Sequence, residues 1–459
     1  MSVVTVIRGA ASGDRAPQFA DAQGRPQGSH RSAAGTDSIA PHRDRSVDLV
    51  RSFLLLVVVG LHSAMVGISV GPEGFVLGNA LEGQAWFAPV SWVVQIMPLF
   101  FVIGGFSSHT HWSRMRERGH SANDYVVGRL HRLLVPALVS IAAVGIALAV
   151  MTLSGVPMQL VATAGYRLSQ PLWFLGVYVL CSALVPLLVA AHSRRPVLSL
   201  AALVAAAVAV DVIRLSTGIT ALGFLNLLFV WLAVQQLGFW LADGCFERLS
   251  VRARLTITAG SILGLLILTG PGPYPADMYQ NLNPPTVCLL LIGTAQLMVF
   301  TLLRGRLRSF AQRPRIGRVV DALGSRTMTV YLWHMPVIIL LAAGLLILNS
   351  LIGIPLHEPL SLGWWATRPL WLLAVGGALF PVAACLGRFE AGRRSPTFNG
   401  SSRRVLAHTT LGVFFGAGAV LVLLVTGMSL AATILATAML MVALALCGGD
   451  SRAGARLIR

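Results

Sequence analysis

Asp48-Leu-Val-Arg51-Ser-Phe-Leu-Leu-Leu-Val-Val-Val-Gly-Leu-His62 is the stretch whose reading decides the fold class. From Phe53 to Leu61 it is wholly apolar, and mostly apolar sequence resumes after His62 and runs to about Val70. A segment of that length reads as a membrane helix. It carries two ionisable residues, Arg51 and His62, and such groups inside a membrane segment are costly and by default functional. They are eleven residues apart. At about 100° per residue that is three turns plus roughly 20°, so both fall on one stripe of the helix. At about 1.5 Å per residue His62 stands roughly 16 Å deeper, which predicts Arg51 at a membrane surface and His62 near mid-bilayer. Each residue alone has an ordinary role: an Arg at a helix start anchors at the interface, and a buried His can bond a neighbouring helix. The two in register point further.

Composition agrees with the membrane reading. The 459 residues are 55% hydrophobic and 11% charged, about half the charged share of a soluble domain. The formal charge is +18 and every basic residue is Arg, a bias in keeping with a GC-rich genome. The five cysteines (Cys181, Cys245, Cys288, Cys385 and Cys447) are scattered and fit neither a metal site nor a disulfide framework. The first 45 residues hold no sustained apolar run of the kind a cleavable signal needs.

Twelve apolar runs follow, at about 49–70, 86–107, 133–153, 172–191, 197–213, 221–242, 255–269, 286–303, 328–348, 364–386, 405–425 and 430–447. The expected fold is therefore all-α, a polytopic membrane protein of about twelve transmembrane helices. The expected organisation is a disordered basic tail (1–46), a membrane domain (47–390), a linker (391–404), a further helix pair (405–447) and a short tail (448–459). With loops assigned alternately, one side of the membrane holds 32 of the 35 Arg, and the other only Arg167, Arg214 and Arg368. The positive-inside rule places the rich side, and both termini, in the cytoplasm. It also accounts for the net charge without nucleic acid, because the charge coats one face of a lipid bilayer.

Several shorter patterns carry chemistry. Gly104-Gly105 suit close helix contact or leave room for a ligand chain. Arg129 and Arg132 are three residues apart and face the same way on a helix; they suit a bidentate phosphate site or simple interfacial anchoring. Trp173 and Tyr178 open the fourth run as candidate belt aromatics. Gln280 to Thr286 forms an uncharged polar patch in which Asn281 and Asn283 offer hydrogen bonds to a hydroxylated molecule, or merely build a turn with Pro284 and Pro285. Tyr331 and His334 share a helix face, and His334 is a second intramembrane histidine, a few residues from the cytoplasmic end. No phosphate-binding Gly-rich loop, zinc-protease helix or nucleophile elbow is present.

The order of these motifs resembles the membrane-bound acyltransferase-3 family. The matching stretches are Asp48-Leu-Val-Arg51 with ten residues to His62, Phe100-Phe-Val-Ile-Gly-Gly-Phe106, Arg129-Leu-His-Arg132, Pro171-Leu-Trp-Phe174, Asn283-Pro-Pro-Thr286, Tyr331-Leu-Trp-His334 and Phe389-Glu390. Gly104 departs from the pattern, since many members have Ser there. The resemblance implies a ten-helix catalytic unit ending near Glu390, with His62 as catalytic histidine, Arg51 as its motif partner, and Arg129 with Arg132 binding the acyl donor; His334, within the matching Tyr331-Leu-Trp-His334 stretch, is a further catalytic candidate. The implied donor substrate is acyl-CoA, and neither metal nor prosthetic group is expected. The implied acceptor is a hydroxyl of a glycan, glycolipid or glycosylated metabolite, with Trp173, Asn281 and Asn283 as acceptor-side candidates. The implied location is the bacterial plasma membrane. His62 acts either as a base or as a covalent acyl carrier under this reading. A proton-coupled transporter or lipid flippase is the alternative from another class; it predicts inverted repeats and deep carboxylates. The few acidic residues lie instead at run ends, such as Asp211 and Asp243. A catalytically silent scaffold is the third reading.

Overall fold

The computed structural model describes residues 44–71, 74–390 and 402–448. The expected tail up to residue 43, linker residues 391–401 and residues 449–459 lie outside the described residues. Helix α1 (Arg45–Met65) begins inside the expected tail, because the Asp44 carboxylate caps it by accepting from the Ser46 N–H at 3.0 Å. It also ends earlier than the apolar run. The chain passes into an antiparallel hairpin of β1 (Val66–Gly71) and β2 (Gly74–Asn79), with Val66 paired to Asn79. Hydropathy alone cannot separate a strand from a helix in so short a run. His62 consequently sits in the last turn of α1, not at its middle.

The remaining helices are α2 (Phe87–Val94), α3 (Met97–Glu117), α4 (Ala122–Leu153), α5 (Met158–Ser169), α6 (Trp173–Arg194), α7 (Pro196–Thr217), α8 (Asn226–Ala242), α9 (Val251–Thr269), α10 (Cys288–Ala311), α11 (Pro314–Gly324), α12 (Thr327–Ile352), α13 (Leu362–Leu386), α14 (Ser402–Thr426) and α15 (Leu430–Cys447). Among the described residues twelve helical stretches are long and apolar enough to cross a membrane. The protein is an all-α polytopic membrane protein, as its sequence implies. Two refinements place functional residues. A Ser121/Asp124 capping box starts α4 eleven residues before the apolar run, which carries Arg129 and Arg132 into the helix. The second span is broken between α2 and α3, and the carbonyl of Gln95 at the break accepts from Gln296 Nε2 at 2.8 Å. A backbone group freed inside a membrane must find such a partner.

Arg-rich segments gather at one end of the bundle. Asp44 accepts from Arg304 at 2.6 Å and from Arg308 at 3.3 Å, Arg304 also pairs with Glu247, and Arg45 bonds Asp321 at 2.5 Å. Burial would raise the Asp44 pKa, but the Ser46 bonds and the Arg304 guanidinium outweigh it and hold the carboxyl at about 2. The stabilisation this supplies is complete above the ordinary carboxylate range and drains away as pH falls towards 2.

Helices α3 and α8 meet backbone to backbone. A Cβ on Gly105 would collide with the carbonyl of Gln235, and one on Gly238 with that of Val102. Beside them Phe101 stacks on Trp231 with centroids 4.4 Å apart. Gly104, one residue away, faces only the Tyr178 ring at 3.3 Å. The C-terminal pair α14–α15 is not a separate appendage. The Met428 N–H donates to Gly165 O at 3.2 Å, and small residues of α4 and α6 receive the pair: Gly145 faces Thr433 and Gly176 faces Val420. Glycine-lined contacts of this kind are how membrane helices approach closely.

Gly105→Ala is expected to lower the thermal stability of the purified protein by about 1–3 kcal/mol, because a backbone carbonyl cannot yield. Gly104→Ala is expected to be near neutral, since only a side-chain ring must shift. Equal melting temperatures for the two variants in a detergent unfolding assay would contradict this division.

Candidate active site

Helices α1 and α12 bring the two intramembrane histidines together. His62 Nδ1 lies 2.7 Å from His334 Nε2, with ring planes 10° apart and centroids separated by 5.0 Å. So short a nitrogen–nitrogen distance between near-parallel rings is an in-plane hydrogen bond rather than a face-to-face stack. His334 is fully buried, and its Nδ1 lies 2.5 Å from the carbonyl oxygen of Tyr331, one turn back on α12. That oxygen can only accept, so the proton sits on His334 Nδ1. His334 Nε2 is then the acceptor, His62 Nδ1 carries a proton and donates it, and His62 Nε2 keeps a free lone pair. One backbone carbonyl thus sets the tautomers of both rings.

His62 lines a narrow cavity of about 70 Å³ together with Trp173, Phe174, Tyr279, Leu282 and Tyr331. The Tyr331 hydroxyl donates to Pro171 O at 2.6 Å and pins the turn that precedes Trp173. A second cavity, about 240 Å³, opens towards the Arg-rich end and is lined by Arg51, Arg129, Arg132, His111, Tyr178 and Glu390. The walls Phe100, Phe174, Thr327 and Met328 are common to both cavities. A basic vestibule therefore adjoins the histidine chamber through an apolar neck.

Each arginine in the vestibule is differently held. Arg51 donates to Ser107 Oγ at 2.5 Å and lies 4.0 Å from Asp48. Arg129 donates to Tyr125 Oη at 3.2 Å and to Ser108 Oγ at 3.3 Å. Exposed Arg132 has no hydrogen-bond or ion-pair partner among the described residues. The buried Glu390 carboxylate is directed elsewhere: it accepts from the N–H groups of Met328 and Thr329, each at 3.0 Å, and from Thr329 Oγ1 at 3.1 Å. It caps the start of α12, which carries His334. His111, the vestibule position of Tyr178 (read from the sequence as a belt aromatic) and the capping role of Glu390 are not visible in the sequence, because no spacing rule links them to the site. Gly104 lines the vestibule while Gly105 packs on α8, so the two glycines divide the roles left open between them.

Of the acceptor-side candidates, Trp173 lines the His62 chamber and the two asparagines do not. Asn281 is fully buried. Its Nδ2 donates to Pro275 O at 2.7 Å and Asp277 O at 3.1 Å, and its Oδ1 accepts from Thr286 at 2.8 Å. Its polar atoms are thus engaged within its own loop. Asn283 is exposed and precedes a cis Pro284. The loop reaches the chamber through Tyr279 and Leu282, and Asp211 anchors it by accepting from Val287 N–H at 2.9 Å and Tyr274 Oη at 3.0 Å. Among the described residues no group of three or more His, Cys, Asp or Glu is placed to hold a metal ion.

The site is thus a membrane-embedded chamber with paired histidines beside a cationic vestibule. The family model of the acyltransferase domain matches residues 44–388, and the chain belongs to the membrane-bound acyltransferase-3 family. It is an acyltransferase, so the transporter and scaffold readings fall away. No curated protein and no solved structure matches the chain.

Asn281→Ala is expected to destabilise the fold by about 1–3 kcal/mol through unpaired buried backbone groups, whereas Asn283→Ala leaves both stability and transfer unchanged. A specific loss of transfer in a fully stable Asn281→Ala protein would return that residue to the acceptor site.

Proposed function

We propose that this membrane acyltransferase moves a short acyl group, such as acetyl, from acyl-CoA in the cytoplasm to a hydroxyl of a glycan, glycolipid or glycosylated metabolite at the plasma membrane. The observation that carries the reading is the Tyr331 O–His334–His62 chain, which leaves a bare imidazole nitrogen in the chamber next to a basic vestibule. The orientation, with the Arg-rich end and both termini cytoplasmic, is supported by the asymmetric placement of Arg in the sequence.

In this mechanism Arg132, with Arg129 and Arg51 behind it, binds the phosphates of coenzyme A at the vestibule. Guanidinium forks suit phosphate oxygens, and Arg132 has its donors uncommitted. The pantetheine arm passes the neck between Phe100, Phe174 and Met328, so the thioester reaches the chamber. The acceptor hydroxyl meets the thioester in the chamber, whose walls include Trp173 and Tyr279. His62 Nε2 takes the hydroxyl proton as the oxygen attacks the thioester carbonyl. The tetrahedral intermediate collapses, the carbon–sulfur bond breaks, and the departing thiolate takes the proton from the His62 imidazolium. His334 is a positioning residue: it holds the ring and tautomer of His62 and accepts the hydrogen bond that strengthens when His62 is charged. The small chamber favours a short acyl group. In this mechanism His62 acts as base, not acyl carrier, so initial-rate kinetics with both substrates varied should give intersecting, not parallel, lines.

His62→Ala is expected to lower transfer by about 10²–10⁴-fold, the usual cost of losing a general base. His334→Ala should cost a comparable factor, and the double variant no more than the worse single one, because residues that act as a unit are non-additive. Donor binding should persist in all three. Multiplicative losses would separate the two histidines, and full activity without His62 would remove the mechanism.

Arg132→Ala is expected to raise the donor KM by about ten- to a hundred-fold, the worth of one or two charge-assisted hydrogen bonds. Arg132→Lys should recover only part, since an ammonium lacks the fork. An unchanged donor KM in both would assign Arg132 to interfacial anchoring alone.

A further inference from the structure

At the end of the bundle opposite the Arg-rich loops, α12, α13 and the β1 strand enclose a cleft of about 540 Å³. It is much larger than the histidine chamber, and its walls are almost entirely apolar, with Ile68, Leu345, Leu348, Leu356 and Leu370 among them. Its polar wall residues are His357, Thr367 and Arg368, and Arg368 is one of three Arg that the sequence places away from the Arg-rich side. The guanidinium carbon of Arg368 lies 4.2 Å from the ring centre of Trp364 and 5.4 Å from that of Trp371. Its Nε donates to Trp364 O at 3.2 Å. Among the described residues no carboxylate pairs with Arg368, whereas Arg214 lies 3.7 Å from Asp211. Trp371 lines the same cleft, and its buried Nε1–H has no hydrogen-bond partner. A cation held against two indoles, with its terminal donors uncommitted, calls for an anion, and the long apolar walls call for a hydrocarbon chain.

The cleft adjoins the site along the chain. Val66, one turn after His62 and bonded to its carbonyl through the α1 cap, forms part of the cleft wall. Leu341, two turns after His334 on α12, forms another part. An occupant of the cleft therefore lies beside the segments that carry both histidines.

We propose that this cleft binds a lipid carrying a phosphate, with the chain along the apolar walls and the phosphate on Arg368, and that this lipid is the carrier of the acceptor. A phosphate suits Arg368 because its oxygens match the two guanidinium NH₂ groups, which no other group engages among the described residues. The proposal rests on the acyltransferase reading for the chemistry of the acceptor, but not for the binding itself.

The test uses the full chain in phosphatidylcholine nanodiscs and measures equilibrium binding of radiolabelled dodecyl phosphate. Saturable binding is expected, with dodecanol, dodecanoate and inorganic phosphate each competing at least about tenfold more weakly. Arg368→Gln should weaken binding by about ten- to a hundred-fold. Gly344→Phe should abolish it by filling the cleft, since a Cβ at Gly344 meets nothing within 4 Å and the backbone need not move. Both variants should bind acetyl-CoA as the unaltered protein does. In membranes of the producing cells given radiolabelled acetyl-CoA, label should partition into the organic-soluble lipid fraction and be lost from that fraction in Arg368→Gln. Equal competition by dodecanol or dodecanoate, or an unaffected Arg368→Gln, overturns the phosphate site. Failure of dodecyl phosphate to compete with phosphatidylcholine makes this a bulk-lipid groove and overturns the proposal. Label found only in water-soluble product overturns the carrier role. Loss of acetyl-CoA binding by the unaltered protein would strike the donor reading instead, with the dodecyl phosphate result standing apart.

Discussion

The hydrogen bond between His62 and His334 joins two helices that lie far apart in sequence, and the arrangement of the site depends on it. In a medium without water each ring nitrogen must be partnered or face a cavity. His334 meets that demand with a backbone carbonyl on one side and His62 on the other. His62 meets it with His334 and the chamber. The same requirement that makes polar groups expensive in a membrane also leaves one nitrogen in a defined protonation state and position.

The surroundings keep that pair in place. Glu390 caps the first turn of α12, so the helix that carries His334 begins at a fixed point. The Tyr331 hydroxyl ties the next turn to Pro171. On the other side, the capped α1 delivers His62 in its last turn before the hairpin begins. Packing supplies the rest: Gly105 and Gly238 let α3 approach α8 closely, and the C-terminal pair completes the wall formed by α4 and α6. Helix caps and glycine contacts matter here because no solvent is available to accommodate a misplaced backbone group.

Donor and acceptor readings draw on different physics. The vestibule is polar, with guanidiniums anchored by hydroxyls and one exposed Arg left free of partners among the described residues. The cleft beyond the hairpin is apolar, with one Arg supported by indole rings.

Hydropathy and the asymmetry of Arg were enough to read the span number and the all-α class directly, because a bilayer demands long apolar helices whatever their neighbours are. Spacing placed Arg51 and His62 on one stripe and Arg129 and Arg132 on one face, since helical periodicity is a local property. What the chain order could not reveal is that His334 touches His62, because that contact depends on how α1 and α12 are tilted and packed. Nor could it show that Asn281 is consumed by its own loop, or that Gly104 and Gly105, adjacent in sequence, serve a cavity and a helix contact respectively. A side chain's type and period follow from the sequence; the partner it meets is decided only when the helices pack.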